Sequence, residues 1–221
     1  MQPPEGRWRQ TARVFHERAD EYDSWYENSL LFGIELAALE SIVSRLPRPR
    51  LELGVGPGRF AAALGISLGI DPALAPLVKA GQRGVAGIAA IGEQLPVRDS
   101  SLGTIFLLFT FCFLNDPESV LRECSRVLRQ NGRLVVGLVP ARSPWGALLR
   151  KKGRTGNPYY RHARFHTVAE LLEMATKTGF VLVESRSTLF QPPNRLRAPE
   201  PPVAGHDEQA GFCVLVLNAR R

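Results

Sequence analysis

Three alternate glycines in Glu52-Leu-Gly54-Val-Gly56-Pro-Gly58 stand directly after a short apolar run and just before a helical stretch that opens at Arg59. Glycine lets a backbone turn sharply and approach a ligand closely, because any Cβ would collide or forbid the required dihedrals. The spacing discriminates between ligands. A dinucleotide fingerprint wants glycine at the first, third and sixth positions, but the sixth position here is Arg59 and the glycines fall at the first, third and fifth. No Gly-Lys-Ser or Gly-Lys-Thr follows, which disfavours a phosphate-cradling Walker loop. Asp71 comes 19 positions after Glu52, near the roughly 20-residue separation at which an acidic side chain meets a ribose diol. A carboxylate there accepts from two vicinal hydroxyls at once. The plainer alternatives are an ordinary strand-to-helix turn and, for Asp71, a helix N-cap.

Other titratable candidates gather between Pro140 and His166. If an accepting atom must lose a proton, a general base near neutral pKa helps, and His162 and His166, with Tyr159 and Tyr160, are available there. A lone histidine is more often a surface or capping residue than a base. Seven basic residues from Arg142 to Arg164 accumulate without an acidic one, so this segment is either a solvated loop or a positive lid that attracts an anion. Trp145, Leu148 and Leu149 beside the lysines permit a short interfacial helix. Cys112, Cys124 and Cys213 lie far apart with no CxxC pair, so neither a disulfide framework nor a metal site is expected.

The elements that would position these residues follow from periodicity. Residues from about 9 to 45 read as helical, with Val14, Leu30, Leu31, Ile34, Leu36, Leu39 and Ile42 at mixed three and four spacings, until Pro47 and Pro49 stop the pattern. Strand 51–54, helix 59–64, strand 66–71, helix 73–80 and strand 85–90 then alternate, which argues a parallel sheet covered by helices on both faces. The run 104–110 reads as a fourth strand buried on both faces. Asp116-Pro117 supplies an N-cap and first helical position, Asn131-Gly132 closes that helix, and Arg133 to Val139 is a fifth strand. After the irregular segment 140–164, Thr167 caps a helix running to Thr178, and Phe180 to Phe190 and Phe212 to Asn218 are two last strands. The proline-rich piece 191–211 reads as a surface connection, near a cleft or poorly ordered.

The chain has 221 residues and is 44% hydrophobic, enough for one sizeable core and short for two domains. No run reaches the ~18 to 20 apolar residues of a membrane span, and the opening residues lack the apolar core of a signal peptide, so a cytoplasmic protein is expected. The net charge of +7 favours anionic partners without naming the anion.

Taken in order, the E-x-G-x-G-x-G loop, Gly69-Ile-Asp71-Pro, Gly92-Glu-Gln-Leu-Pro96 and Leu121-Arg-Glu-Cys-Ser-Arg-Val-Leu-Arg-Gln-Asn-Gly-Arg-Leu-Val-Val136 resemble the class I S-adenosylmethionine-dependent methyltransferases. The closest likeness is to their ubiquinone and menaquinone biosynthesis-like branch of small-molecule enzymes; Tyr22-Asp-Ser-Trp25 and Ala163-Arg-Phe165 share in it. The resemblance implies a Rossmann-like α/β three-layer sandwich. Its sheet would be mostly parallel and seven-stranded, in the order 3-2-1-4-5-7-6 with strand 7 antiparallel. It implies one domain over 1–221: an N-terminal helical cap (1–48), a cofactor-binding core (49–139), a substrate-side lid (140–166) and a C-terminal helix and strand pair (167–221).

By the same resemblance Glu52, Gly54, Gly56 and Gly58 would hold the methionine part of S-adenosylmethionine, and Asp71 the ribose. Pro72 and Ala73 would border the adenine, with Glu93 and Gln94 at its edge. Phe109 and Thr110 would face the sulfonium, Tyr22 would cap the pocket, and His162, His166 and Tyr160 are the catalytic candidates. Ala90, Gly92 and Gly103 depart from the family pattern. The expected activity is methyl transfer to a small acceptor, anionic or aromatic. An RNA methyltransferase and a non-catalytic cofactor-binding regulator are the alternatives; nucleic acid is disfavoured by the lack of an appended RNA-binding module.

Overall fold

The computed structural model describes residues 6–219; the opening residues read above for a signal peptide lie largely outside this range, as do the last two. Helices α1 (Arg7–Glu17), α2 (Ala19–Ser24) and α3 (Leu30–Val43) lead into strand β1 (Arg50–Leu53) and helix α4 (Arg59–Ala63). Strand β2 (Leu68–Asp71), helix α5 (Leu74–Gln82) and strands β3 (Ala86–Ala89) and β4 (Leu102–Leu108) follow. A 3-10 turn (Phe111–Phe113), helix α6 (Pro117–Val127), strand β5 (Leu128–Leu138) and helices α7 (Pro144–Arg154) and α8 (Val168–Lys177) come next. Strands β6 (Phe180–Thr188), β7 (Val203–Ala204) and β8 (Phe212–Ala219) complete the chain.

The strands form one sheet in the order β3-β2-β1-β4-β5-β8-β6-β7. Strands β1 to β5 pair in parallel, and β8 runs antiparallel between β5 and β6. The expected order and the antiparallel strand are therefore present, with β8 in the seventh strand's place. The sheet has eight strands instead of seven because Val203 and Ala204, inside the segment read as a connection, pair with Ser187 and Arg186 at its edge. That segment is further tied down by Glu200, whose carboxylate accepts from the backbone N–H of Phe190 at 2.7 Å.

Strand β4 is buried throughout. Ile105 and Leu107 enter the core on one face of the sheet, and Phe106 and Leu108 the core on the other, as expected of a strand covered on both sides. Helix α6 ends at Val127, four residues before the expected stop. The carbonyls of Arg126 and Val127 are taken by the N–H groups of Ser100 and Ser101, so the helix ends without needing a further turn and residues 128–132 join β5. Asn131 does take the left-handed conformation, with φ of 65°, but within that strand. The segment 140–164 is not irregular throughout. Ser143 accepts from the N–H of Gly146 at 3.0 Å and Pro144 opens α7, the same cap-and-proline signal that opens α6. The predicted cap at Thr167 is present, and Glu170 makes it a capping box that the sequence reading did not name.

Helix α2 is fastened to α4 and α5 by one carboxylate. Asp23 on α2 accepts from Arg59 Nε at 2.5 Å and Arg83 Nη2 at 2.9 Å, with Lys79 Nζ at 3.7 Å. Burial alone would raise its pKa; the hydrogen bonds from Arg59 and Arg83 override that and hold the carboxyl below the ordinary range. Its stabilisation is thus present above the unfolded carboxyl pKa and lost as pH falls through the lower folded one. Asp23→Ala should lower unfolding free energy by about 2 kcal/mol in denaturant melts at pH 7, because Arg83 loses its carboxylate partner and Arg59 and Lys79 keep only Glu27 and Asp20. The deficit should shrink in acid.

Candidate active site

The order of strands reverses between β1 and β4, and in parallel sheets ligands settle outside the carboxyl ends of the strands at such a point. The loops that leave those ends are Gly54–Gly58 and Phe109–Thr110. Gly54, Gly56 and Gly58 all have positive φ (77°, 51° and 77°). A Cβ on Gly54 would land on the Thr110 side chain, and one on Gly58 would come within 2.9 Å of Ala80 Cβ. On Gly56 the nearest atom would be a Tyr22 ring carbon at 3.7 Å. Gly54 therefore permits the approach of two loops, Gly58 the packing of α4 on α5, and Gly56 presents bare backbone to Tyr22.

Asp71 ends β2 at the mouth of this turn. Its Oδ2 accepts from Gly56 N at 2.9 Å and its Oδ1 from Ala73 N at 2.8 Å. Burial pushes its pKa up to about 6, with the two backbone hydrogen bonds opposing the rise. Each oxygen retains a lone pair for a further donor. Glu52 is 3% exposed, and one carboxylate oxygen is buried without a partner. Burial, then the Asp71 charge, drive its pKa well above the ordinary range against a hydrogen bond from the Ala61 backbone. It stands behind the turn.

A cavity of about 110 Å³ opens over these groups, and Tyr22, Gly54, Gly56, Asp71 and Pro72 form part of its wall. Glu93, Phe109 and Thr110 complete the predicted set that lines it. Glu52, Gly58, Ala73 and Gln94 do not line it; Gln94 is exposed. Trp8, Thr11 and Ala12 of α1 and Ile91 after β3 were not anticipated in this wall. The apolar run ahead of Gly92 was the available signal for Ile91, whereas nothing local marked α1.

A second cavity of about 480 Å³ adjoins the first, with Phe15, Tyr22, Phe109 and Phe113 common to both walls. It is enclosed mainly by aromatic rings from α2, α3, α7 and the loops around Phe109 and Tyr159. Phe109, at a left-handed φ of 56°, is held there by Phe212 stacked at 4.7 Å and Phe60 at 5.4 Å. Tyr22 packs edge-on against Phe15, Trp25 and Tyr26, and its hydroxyl meets that of Tyr26 at 2.9 Å. Of the catalytic candidates, Tyr160 and His166 line this chamber and His162 lines neither cavity. Burial raises the Tyr160 pKa, keeping the phenol protonated, and lowers that of His166, keeping the imidazole neutral at pH 7. Cys112 is also in the wall, its thiol pushed up to about 12 by burial. Glu35 of α3, absent from the sequence reading, contributes a carboxylate.

The residues present fit S-adenosylmethionine: a bare-backbone cradle, a carboxylate with free lone pairs beside it, and an apolar chamber beyond. A family model described as a methyltransferase domain matches residues 51–136. A protein of Mycobacterium tuberculosis described as uncharacterized is 39% identical over 202 residues, covering 90% of this chain and 70% of that one. The demethylmenaquinone methyltransferase of Thermotoga maritima is 34% identical over 137 residues, covering 56% and 59%. A crystal structure from Thermotoga maritima, of a SAM-dependent methyltransferase described as a possible histamine N-methyltransferase, superposes with a TM-score of 0.88 at 32% identity, over 95% of this chain and all of that one. The 32% identity to that methyltransferase over nearly the whole of both chains, together with the glycine turn and its facing carboxylate, places the protein in the class I family of S-adenosylmethionine-dependent methyltransferases.

Proposed function

We propose that the protein transfers the methyl group of S-adenosylmethionine to a small molecule seated in the aromatic chamber. One observation carries this reading: the chamber is lined mainly by aromatic rings and shares the Tyr22 and Phe109 wall with the cleft above Asp71. Asp71 accepts from the two ribose hydroxyls, while Gly54, Gly56 and Thr110 hold the methionine part. Pro72, Ile91 and Glu93 border the adenine. Glu52 and Gly58 support the turn from behind, the first through Ala61 and the second against Ala80.

When bound, the cofactor supplies a strongly electrophilic sulfonium methyl. The chain's own task is then alignment and dryness. Phe109, pinned between two phenylalanine rings, and Tyr22, pinned among three aromatics, fix the passage between cleft and chamber. The Tyr22 and Tyr160 phenols stay protonated and orient the acceptor by hydrogen bonding. A chamber of about 480 Å³ is of the size that admits a metabolite-sized acceptor.

Isothermal titration should show S-adenosylhomocysteine binding, and the protein should convert S-adenosylmethionine to S-adenosylhomocysteine above the solvent background with some member of a small-molecule acceptor panel. Binding without turnover across that panel would favour the regulatory alternative. Turnover on RNA, with salt-dependent gel shifts, would favour the other.

A further inference from the structure

The chamber wall carries one deeply buried carboxylate. Glu35 is 5% exposed and lies in α3 between Ile34 and Leu36, on a helix whose other buried residues are apolar. Among the described residues no protein group donates a hydrogen bond to it or pairs with it, and its carboxyl faces the chamber. A buried carboxylate without a partner is retained only at a cost, and that cost is removed when a ligand brings the missing donor. Other groups of the wall do not neutralise it. Lys152 is exposed at the rim, and His166 is packed edge-on against Phe111 with Glu170 at 4.0 Å. Tyr22, Tyr26 and Tyr160 feel the Glu35 charge and are themselves made less acidic by it.

The rings supply the second observation. Trp25 packs against Tyr22 at 5.3 Å and Tyr159 at 4.6 Å, and Tyr26 against Phe32 at 5.7 Å, all in the chamber wall. Aromatic faces attract cations, and most strongly where water is excluded. Among the described residues no buried cation lines the chamber, so the anionic acceptor suggested by the basic lid has nothing there to receive it.

The geometry points to an amine as the acceptor: a compact aryl- or alkylamine whose ammonium group enters against Glu35 and the surrounding rings, and whose proton Glu35 receives before transfer. This inference rests on the methyl-transfer reading. In the step itself the freed nitrogen lone pair forms the bond to the methyl carbon while the carbon–sulfur bond breaks and leaves its electron pair on sulfur. The ammonium proton resides on Glu35, which restores the protonated carboxyl of the free chamber, and the methylated nitrogen leaves as an ammonium. The one proton the reaction yields is the one displaced to solvent when the substrate enters. Burial lifts Glu35 to about 8, so at pH 7 the free chamber holds a proton that an entering ammonium must displace.

The test is calorimetry on the complex with S-adenosylhomocysteine, titrated with matched amine, alcohol and carboxylate trios built on benzyl, phenethyl and cyclohexylmethyl frames, in two buffers of different ionisation enthalpy. At least one amine should bind ~30-fold or more tighter than its alcohol and carboxylate partners, with release of close to one proton at pH 7. Glu35→Gln should lose both the preference and the proton release while keeping S-adenosylhomocysteine affinity. Equal or better binding of the alcohols or carboxylates, or amine binding without proton release, would overturn the inference. The trios and the proton count are read on the natural chain, so they decide the matter even if the variant fails to fold. Failure of the natural chain to bind S-adenosylhomocysteine would sink the methyl-transfer reading itself; binding of it with no amine preference would sink only this inference.

Discussion

Asp71→Ala should weaken S-adenosylhomocysteine binding by about 100-fold or more, since a charged acceptor for two ribose hydroxyls is removed. The loss has a second source: the N–H groups of Gly56 and Ala73 give up their acceptor, so the turn loses the brace that holds it open. The pH profile separates binding from folding. With its pKa pushed up to about 6 by burial, Asp71 is ionised above that pH and, in the proposed role, accepts from the diol; affinity should fall as pH drops below it. Stability moves the other way. A carboxyl raised in the folded state binds more protons there than in the unfolded chain between about 4 and 6, so this group stabilises the fold as pH falls through that window. Asp71→Asn should flatten both trends. Calorimetric titrations and thermal melts from pH 5 to 8 would show this, and an unchanged affinity profile in the asparagine variant would count against the assigned role.

Gly54→Val should abolish cofactor binding and remove about 3 kcal/mol or more of stability, from left-handed backbone strain plus overpacking. The site of the damage is specific: φ is 77° and the new Cβ falls on Thr110, drawing apart the two loops that leave β1 and β4. The steric and conformational parts are separable. Gly54→Ala should be partly rescued by Thr110→Gly, which clears the collision and leaves the unfavourable φ. Chemical denaturation of the single and double variants reads the two contributions, and no rescue at all would show that Thr110 is not the obstacle.

Much of the fold was legible because its determinants are short-range. The glycine turn, the Asp116 and Thr167 caps and the doubly buried run of β4 each depend on residues a few positions apart, and each stands where expected. The errors share a cause. Helix α6 stops early because Ser100 and Ser101 from a distant loop take its last carbonyls, and the eighth strand exists because β6 offers a free edge to Val203 and Ala204. Only α7 was available locally, in the Ser143-Pro144 pair.

For the site, the sequence by itself determined the cofactor side: the turn, the carboxylate at its mouth and the spacing between them are properties of one strand-turn-helix-strand unit. The proposed acceptor side needed tertiary structure: the family resemblance and the titratable residues of segment 140–166 named Tyr22, Phe109 and Tyr160 singly, and only packing brings them around one chamber with Glu35 and Trp145. Tyr22, Glu35, Phe109, Trp145 and Tyr160 come from separate elements, and a carboxylate among apolar helix residues reads the same whether it meets an arginine, water or a cavity. Only the packing of α3 against the rest of the chain leaves Glu35 buried in the chamber wall without a protein partner, because burial and partnership are relations between distant parts of the chain.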